Sequence, residues 1–451
     1  MNIGDEYEVY IEKLTNLGYG LAKIDGFVVF VENACPQDRL KIKIIKKNKS
    51  YANAKITEII APSTHRITPF CPMQKVCGAC QIQYIDYNYQ LTIKQEIVQE
   101  TISKIGGIDI SIPLPVASPS IKNFRHKIQY PVSQTKNSKR ILAGYYKPSS
   151  HELVNIKYCP IQPEICDKII EFIKDTAPKY NISGYTEKEH CGDLKHIVIR
   201  SSSYNGNNLV TLVINSSENN QKFVDFCKEI YEKFEEISGI CINFNPQNTN
   251  VIMGKKTECI FGENYIEEEI LGKKFIIGAE TFFQVNPHSA ENIFRYVKEY
   301  INNNFNSPLI LDAYAGISAF GICMSDIAEK VVTIEENSQS VELAKESIKL
   351  NKIRNLEIHS GDAGKFFALE KRKFDVIILD PPRKGCTEQS LNYAFKLCEN
   401  TIIYVSCNPS TLARDLKYLK QKGCIIESIQ PFDMFCHTYH IENVAIIKIP
   451  D

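Results

Sequence analysis

Along the first sixty residues, apolar and polar positions alternate in short runs. Glu8 to Leu14, Phe27 to Val31, Leu40 to Lys46 and Ala52 to Ile59 are rich in β-branched and aromatic residues, broken by Gly18, Gly20, Gly26 and Pro36, a pattern of short strands. Strands at this spacing predict a small barrel of the oligonucleotide-binding sort. Within the third run, Leu40, Ile42 and Ile44 alternate with Arg39, Lys41 and Lys43, so the cations share one face. Residues 61 to 86 show little periodicity. From 89 to 105, Leu91, Ile97, Val98, Ile102 and Ile105 share one side of an amphipathic helix that Gly106-Gly107 stops. From 124 to about 275 the pattern turns to strands again: Lys127 to Val132, Ile141 to Tyr146, Ile197 to Ser201 and Val210 to Ile214, with a hairpin at Asn205-Gly206. After 305, the short apolar runs Leu309 to Asp312, Val331 to Glu335, Leu356 to His359, Val376 to Asp380 and Ile402 to Ser406 are mostly separated by helix-length segments. This alternation predicts a mostly parallel, doubly wound sheet. Ile425 to Ile429 and Val444 to Ile447 supply two further strands.

Length and charge refine this picture. The chain has 451 residues, enough for two or three domains. Its 53 basic and 53 acidic residues balance, so any nucleic-acid face is local. The run Arg39 to Lys55, with Arg39, Lys41, Lys43, Lys46, Lys47, Lys49 and Lys55 and no acid, is the candidate. Met1 to Val9 is polar and acidic, unlike a signal peptide, and no apolar run approaches the roughly 20 residues of a membrane span. A cytoplasmic protein with no membrane partner is expected. In a reducing compartment the 16 cysteines do not form a disulfide framework, and most are expected to be buried small hydrophobes.

The first apolar strand of the C-terminal part runs into Asp312-Ala-Tyr314-Ala-Gly316-Ile-Ser318. In doubly wound folds, ligands bind beyond the C-terminal strand ends, and Gly316 there lets a ligand approach the backbone. Glu335 ends the next strand, where an acid binds ribose hydroxyls; Asp362 follows the third strand and Asp380 the fourth. Successive carboxylates repel a pyrophosphate and favour a ligand with hydroxyls and a positive charge. S-adenosylmethionine, a sulfonium, fits better than NAD.

The fourth strand ends Asp380-Pro-Pro-Arg383 and the fifth Ser406-Cys407-Asn408-Pro409. Two Pro-stiffened loops thus face one crevice. A thiol at a strand-to-helix junction is expected to have a lowered pKa. Carbon 5 of uracil is too poor a nucleophile to accept a methyl group unaided, and a thiolate adding to carbon 6 activates it. A base must then remove the carbon 5 proton, and His437-Thr-Tyr-His440-Ile-Glu442 offers candidates. Elsewhere, Cys71, Cys77 and Cys80 are spaced C-x5-C-x2-C, with Cys159 downstream; four thiolates suit either a structural zinc or an iron–sulfur cluster.

Taken together, Phe282-Phe-Gln284-Val-Asn-Pro287, Asp312-Ala-Tyr314-Ala-Gly316, Asp380-Pro-Pro-Arg383, Ser406-Cys407-Asn408-Pro409-Ser-Thr-Leu-Ala-Arg-Asp415 and His440-Ile-Glu442 resemble the bacterial RNA uracil-5-methyltransferases of 23S ribosomal and transfer RNA. The resemblance covers essentially the whole chain. It implies a multidomain α/β protein: a TRAM-like OB barrel over 1–60, a central α+β RNA-binding domain over 61–275, and a Rossmann-like methyltransferase domain over 276–451, with the helix near 89–105 packing back on the last. By resemblance, Cys407 is the nucleophile and Glu442 the base. Gln284, Tyr314, Gly316, Glu335 and Asp380 hold S-adenosylmethionine, assisted by Asp362, and Phe282 packs near the flipped base. Cys71, Cys77, Cys80 and Cys159 match the ligands of a [4Fe-4S] cluster. Where the family carries a second glycine this chain has Ser318, which bears on cofactor affinity. The implied substrate is a uridine of 23S ribosomal RNA, with transfer RNA as the alternative, flipped out of its stack, and the protein is expected to be a monomer. Two competing readings are an amino-group methyltransferase of adenine or guanine, weakened by Arg383 where an aromatic is usual, and an RNA-binding or ribosome-assembly protein with a lapsed site.

Overall fold

The computed structural model describes residues 1–450. The N-terminal alternation folds into β1 (Glu6–Tyr10), β2 (Lys13–Leu14), β3 (Gly20–Ile24), β4 (Phe27–Val31), β5 (Arg39–Lys47) and β6 (Tyr51–Ala61), in the order β1-β5-β6-β4-β3-β2. Leu40, Ile42 and Ile44 are buried with Val29, Val31, Ala52 and Ala54, while Arg39 and Lys43 point outward. Period-two alternation is sufficient to sort the two faces. The strand hidden in the sequence is β3, whose inward positions are only Gly20 and Ala22.

Helix α1 (Tyr87–Gly106) is capped by Asp86, whose side chain accepts from the Asn88 and Tyr89 N–H groups, and closed by Gly107 at φ 60°. Its Val98 and Ile102 share a core with Leu412, Leu416 and Leu419 of the C-terminal sheet's covering helix. The wholly buried Lys94 pairs with Asp433 at 2.5 Å. Removing either partner would strand a buried charge, at a cost of about 3–5 kcal/mol, so this docking is specified by polar groups as well as by apolar area.

The central region contains β7 (Lys127–Gln134), β8 (Ile141–Tyr146), β9 (Leu153–Asn155), α2 (Glu164–Thr176), β10 (Leu194–Ser201), β11 (Asn208–Ile214), α3 (Gln221–Lys233), β12 (Ile237–Phe244) and β13 (Lys256–Gly262). The sheet order is β13-β12-β11-β10-β7-β8-β9. The turn at Asn205-Gly206 joins antiparallel β10 and β11, with Gly206 at φ 78°. Two helices interrupt what the sequence pattern presents as strands alone. Ile169, Ile170 and Ile173, and Phe223, Phe226, Cys227 and Ile230, recur every three or four residues and bury one helical face in the sheet's core. A hairpin, β14 (Tyr265–Ile270) with β15 (Lys273–Gly278), and α4 (Pro287–Asn304) lead into the last part.

There the chain alternates β16 (Leu309–Ala313), α5 (Ala319–Met324), β17 (Lys330–Glu335), α6 (Ser338–Leu350), β18 (Leu356–Ser360), α7 (Ala363–Leu369), β19 (Phe374–Leu379), α8 (Glu388–Leu397), β20 (Cys398–Ser406) and α9 (Pro409–Gln421) before β21 (Ile425–Phe432) and β22 (Glu442–Lys448). The order is β18-β17-β16-β19-β20-β22-β21. The first five are parallel, and β22 inserts antiparallel between β20 and β21. The strand order reverses between β16 and β19, which opens a crevice at their C-terminal ends. Among the described residues, no helix is long and apolar enough to cross a membrane.

Candidate active site

The loop after β16 bends through three left-handed residues, Tyr314 (φ 64°), Gly316 (φ 56°) and Ser318 (φ 57°). A Cβ placed on Gly316 would meet nothing nearer than the Phe282 carbonyl at 4.0 Å, so the backbone there is open to a ligand. The Gly316 N–H donates to Glu335 Oε2 at 2.8 Å, and the Asn337 N–H to Oε1 at 2.8 Å. Asp362 is exposed and caps α7, accepting from the Lys365 N–H at 2.8 Å. Asp312 is buried; its Oδ2 accepts from Gly321 N–H at 2.9 Å, while Oδ1 has no partner. Burial, opposed by that N–H and reinforced by Asp380 and Glu335, pushes Asp312 up to about 8. Gln284 is half-buried in the loop before α4. That loop is held by the buried Arg200, which donates to the carbonyls of Ala279 and Thr281, and it leaves Phe282 63% exposed. An open backbone cradle, a partnerless buried carboxylate oxygen and an acidic wall suit a cationic, hydroxyl-bearing ligand, so the residues present fit S-adenosylmethionine.

Ser318 occupies a backbone conformation that costs a non-glycine residue about 1–2 kcal/mol. Its hydroxyl lies 3.0 Å from Thr333 Oγ1, wholly buried. The side chain is thus turned into the sheet, not into the crevice, and the strain is local.

At the neighbouring strand ends, Ser406 of β20 faces Asn443 of β22, which sets Cys407 next to Glu442. Asp380 follows β19, the strand beside β20. Asn408 Nδ2 and Thr411 Oγ1 both donate to the Arg383 carbonyl, at 3.2 and 3.3 Å, so the two Pro-bearing loops are tied together. Cys407 is half-buried. Its thiol is pushed up to about 11, first by burial, then by Glu442, with Arg383 opposing and Asp380 adding. The sequence-based expectation of a lowered pKa is therefore overturned: desolvation and two carboxylates outweigh the helix start. Burial, then Asp380, holds Glu442 well above the usual carboxylate range, with Arg383 opposing, and burial alone pushes Asp380 up to about 7. His440 is driven down to about 4 by burial, then by Arg383 and Lys94. His437 is a staple: its Nε2 lies 2.9 Å from the Ile121 carbonyl and its Nδ1 3.3 Å from Gln90 of α1. Tyr314 is half-buried with its hydroxyl 4.0 Å from the Cys386 sulfur. The structure thus gathers Cys407, Glu442, Asp380 and Arg383 in one place. The sequence shows Arg383 within the Asp380-Pro-Pro-Arg383 motif and as a departure from an aromatic, with no role attached; its charge beside two prolines is the available signal.

The four spaced cysteines, Cys71, Cys77, Cys80 and Cys159, line one small recess with Met73, Ile156 and Ile161. Burial raises all four thiols, Cys159 to about 12, and the neighbouring sulfurs add to the effect on Cys80. Among the described residues, no three His, Cys, Asp or Glu side chains are gathered to hold a metal ion.

Comparison with known proteins supplies the family. The family model for tRNA (uracil-5-)-methyltransferase matches residues 226–449, and that for the TRAM domain matches residues 2–57. An uncharacterized RNA methyltransferase of Halalkalibacterium halodurans is 36% identical over 100% of this chain and 98% of its own length. One of Clostridium tetani is 35% identical over 98% of this chain and 96% of its own. The fold is similar to that of the Pyrococcus abyssi tRNA (uracil-54, C5)-methyltransferase in complex with S-adenosyl-L-homocysteine, with a TM-score of 0.79 and 24% identity over 98% of this chain and 100% of that one. With a doubly wound sheet, an acidic crevice at its switch point and an N-terminal TRAM domain, the chain belongs to the tRNA (uracil-5-)-methyltransferase family and is an RNA methyltransferase.

Proposed function

We propose that this protein methylates carbon 5 of a specific uridine in RNA, 23S ribosomal RNA by the resemblance of its motifs, through a transient bond between Cys407 and carbon 6. The observation that carries the reading is the juxtaposition of Cys407 with Glu442, Asp380 and Arg383 at the ends of neighbouring strands. Gln284, Tyr314, Gly316, Glu335 and Asp380, assisted by Asp362, hold S-adenosylmethionine, which supplies a methyl group on a sulfonium. Cys407 adds to carbon 6 as a thiolate; being half-exposed, it first gives its thiol proton to solvent, which the raised pKa makes the demanding part of the step. Arg383 favours the thiolate. The bond makes carbon 5 nucleophilic. Once carbon 5 carries the methyl group, Glu442, as carboxylate, takes its proton, and the electron pair expels the cysteine. A flipped-out base is required, because a stacked one hides both carbons; Phe282, exposed at the crevice, is suited to pack against it. The TRAM domain with its basic face and the central domain, dividing the chain near 60 and 275, grip the RNA around that base, and one copy of the chain suffices. By the resemblance of their spacing, the four cysteines, which line one recess, would hold a [4Fe-4S] cluster.

Cys407→Ala is expected to lower methyl transfer by about a thousandfold or more while RNA affinity stays within a few-fold. Glu442→Gln is expected to trap a slow-migrating protein–RNA adduct. Full turnover in Cys407→Ala overturns the mechanism. Mapping 5-methyluridine in ribosomal and transfer RNA of a deletion strain decides the target, with loss in transfer RNA overturning the ribosomal assignment.

A further inference from the structure

Behind the reactive loops lies a buried carboxyl group that the mechanism does not use. Asp415 lies two turns into α9, the helix that starts just after Cys407, and is 1% exposed. Its Oδ2 accepts from the Tyr404 hydroxyl at 2.6 Å and from the Cys386 N–H at 2.9 Å. Its Oδ1 accepts from Arg414 Nε at 2.8 Å and lies 2.7 Å from Arg414 Nη2. Arg414 in turn donates to the carbonyls of Lys384 and Cys386, at 3.0 and 3.1 Å. With Asn408 and Thr411 on the Arg383 carbonyl, the whole segment that follows Asp380-Pro-Pro is tied by its backbone to the helix of the nucleophile. The seat is tight. The segment turns at Gly385 (φ 73°), and a Cβ there would come within 2.6 Å of Asp415 Oδ2 and 2.7 Å of Arg414 Nη2. Burying a carboxylate is costly unless its lone pairs are filled, and charged acceptors make the stronger hydrogen bonds. Asp415 therefore makes a stiffer anchor than a neutral side chain would.

What the anchored segment delivers is Arg383. Cys407 faces Glu442 from β22, and Asp380 and Arg383 from the loop after β19; Arg383 also acts on Glu442 and on His440 of the C-terminal segment, which Lys94 of α1 reaches as well. The carboxylates disfavour a thiolate and Arg383 favours one. The side chain of Arg383 is exposed and meets the Cys407 thiol by hydrogen bond and charge, so its reach to the thiol depends on where its backbone is held.

We propose that Asp415 is a positioning residue for the reactive thiol: it fastens the Pro381 to Cys386 segment onto α9 and so keeps the Arg383 guanidinium beside Cys407. The inference rests on Cys407 as the nucleophile, but its test does not need turnover. In the full-length protein, iodoacetamide alkylation of Cys407 is followed by mass spectrometry of its peptide as a function of pH. Arg383→Gln and Asp415→Asn are each expected to shift the profile upward and to slow alkylation below the thiol pKa by about threefold to tenfold. The double variant is expected to match Arg383→Gln alone. The sign is diagnostic: removing the Asp415 charge acts directly on a thiol only in the downward direction, so an upward shift reports displacement of the cation. An unchanged or downward profile in folded Asp415→Asn, or additive shifts in the double variant, overturns the proposal. If Asp415→Asn does not fold, Gly385→Ala breaks the same seat from the loop side and must give the same upward shift. Methyl transfer surviving in Cys407→Ala while these shifts appear would overturn the nucleophile reading and leave the positioning role standing.

Discussion

Cys407 and the four cysteines of the recess are all thiols that burial makes reluctant to ionise, yet their surroundings differ in kind. Cys407 stands alone at a strand end, between two carboxylates and within reach of one guanidinium. Cys80 is pushed up first by burial and then by Cys159, Cys77 and Cys71, with only Arg125 opposing. A lone thiol with a cation at hand can become a thiolate transiently and return. Sulfurs that raise one another ionise together only when a positive centre joins them, which is the condition for a metal or a cluster. Spacing along the chain marks the second group; a strand end marks the first, and its spatial company decides how its thiol behaves.

The largest effect expected from this contrast is all-or-none. Anaerobically purified protein should absorb near ~400 nm, in the region of thiolate-ligated iron–sulfur clusters. Cys159→Ser should abolish the band while leaving the alkylation profile of Cys407 unchanged. A colourless protein with stoichiometric zinc would reverse the cluster assignment.

An intermediate effect should come from the acids of the crevice. Asp380 has a folded-state pKa raised to about 7, so it is largely protonated below that value and charged above it. A sulfonium prefers the charged form. Calorimetric affinity for S-adenosylmethionine should therefore rise about tenfold from pH 6 to pH 8, and affinity for the uncharged thioether S-adenosylhomocysteine should rise less. Equal slopes would mean that Asp380 does not face the sulfonium. The smallest effect belongs to Ser318→Gly, which relieves a left-handed serine but forfeits its contact with Thr333; unfolding stability should change by no more than about 1 kcal/mol. A larger loss would show that the serine hydroxyl organises the loop.

Much of the C-terminal sheet was legible because each strand is a short apolar run ended by a chemically distinct residue. Glu335, Asp380 and Cys407 mark strand ends in the sequence as they do in space. Helices α2 and α3 were hidden for a simple reason: Ile169 to Ile173 and Phe223 to Ile230 are short amphipathic stretches among strands, and single isoleucines there serve either period. The thiol pKa of Cys407 was misjudged because a strand-to-helix junction is visible in one dimension and two facing carboxylates are not. Lys94 and Asp433 are distant in the chain, and nothing local to either announces a buried pair.

By itself, the sequence determined the barrel's two faces, the alternation of strands and helices after residue 305, and the order of the groups that carry the chemistry, since these follow from local periodicity and from residue type at strand ends. The tertiary structure alone decided that Glu442 returns antiparallel beside Cys407, that α1 docks on α9, and that Asp415 fastens the Arg383 segment. The physical reason is that electrostatics and burial depend on distance through space, and a sheet brings together side chains whose separation along the chain says nothing of it.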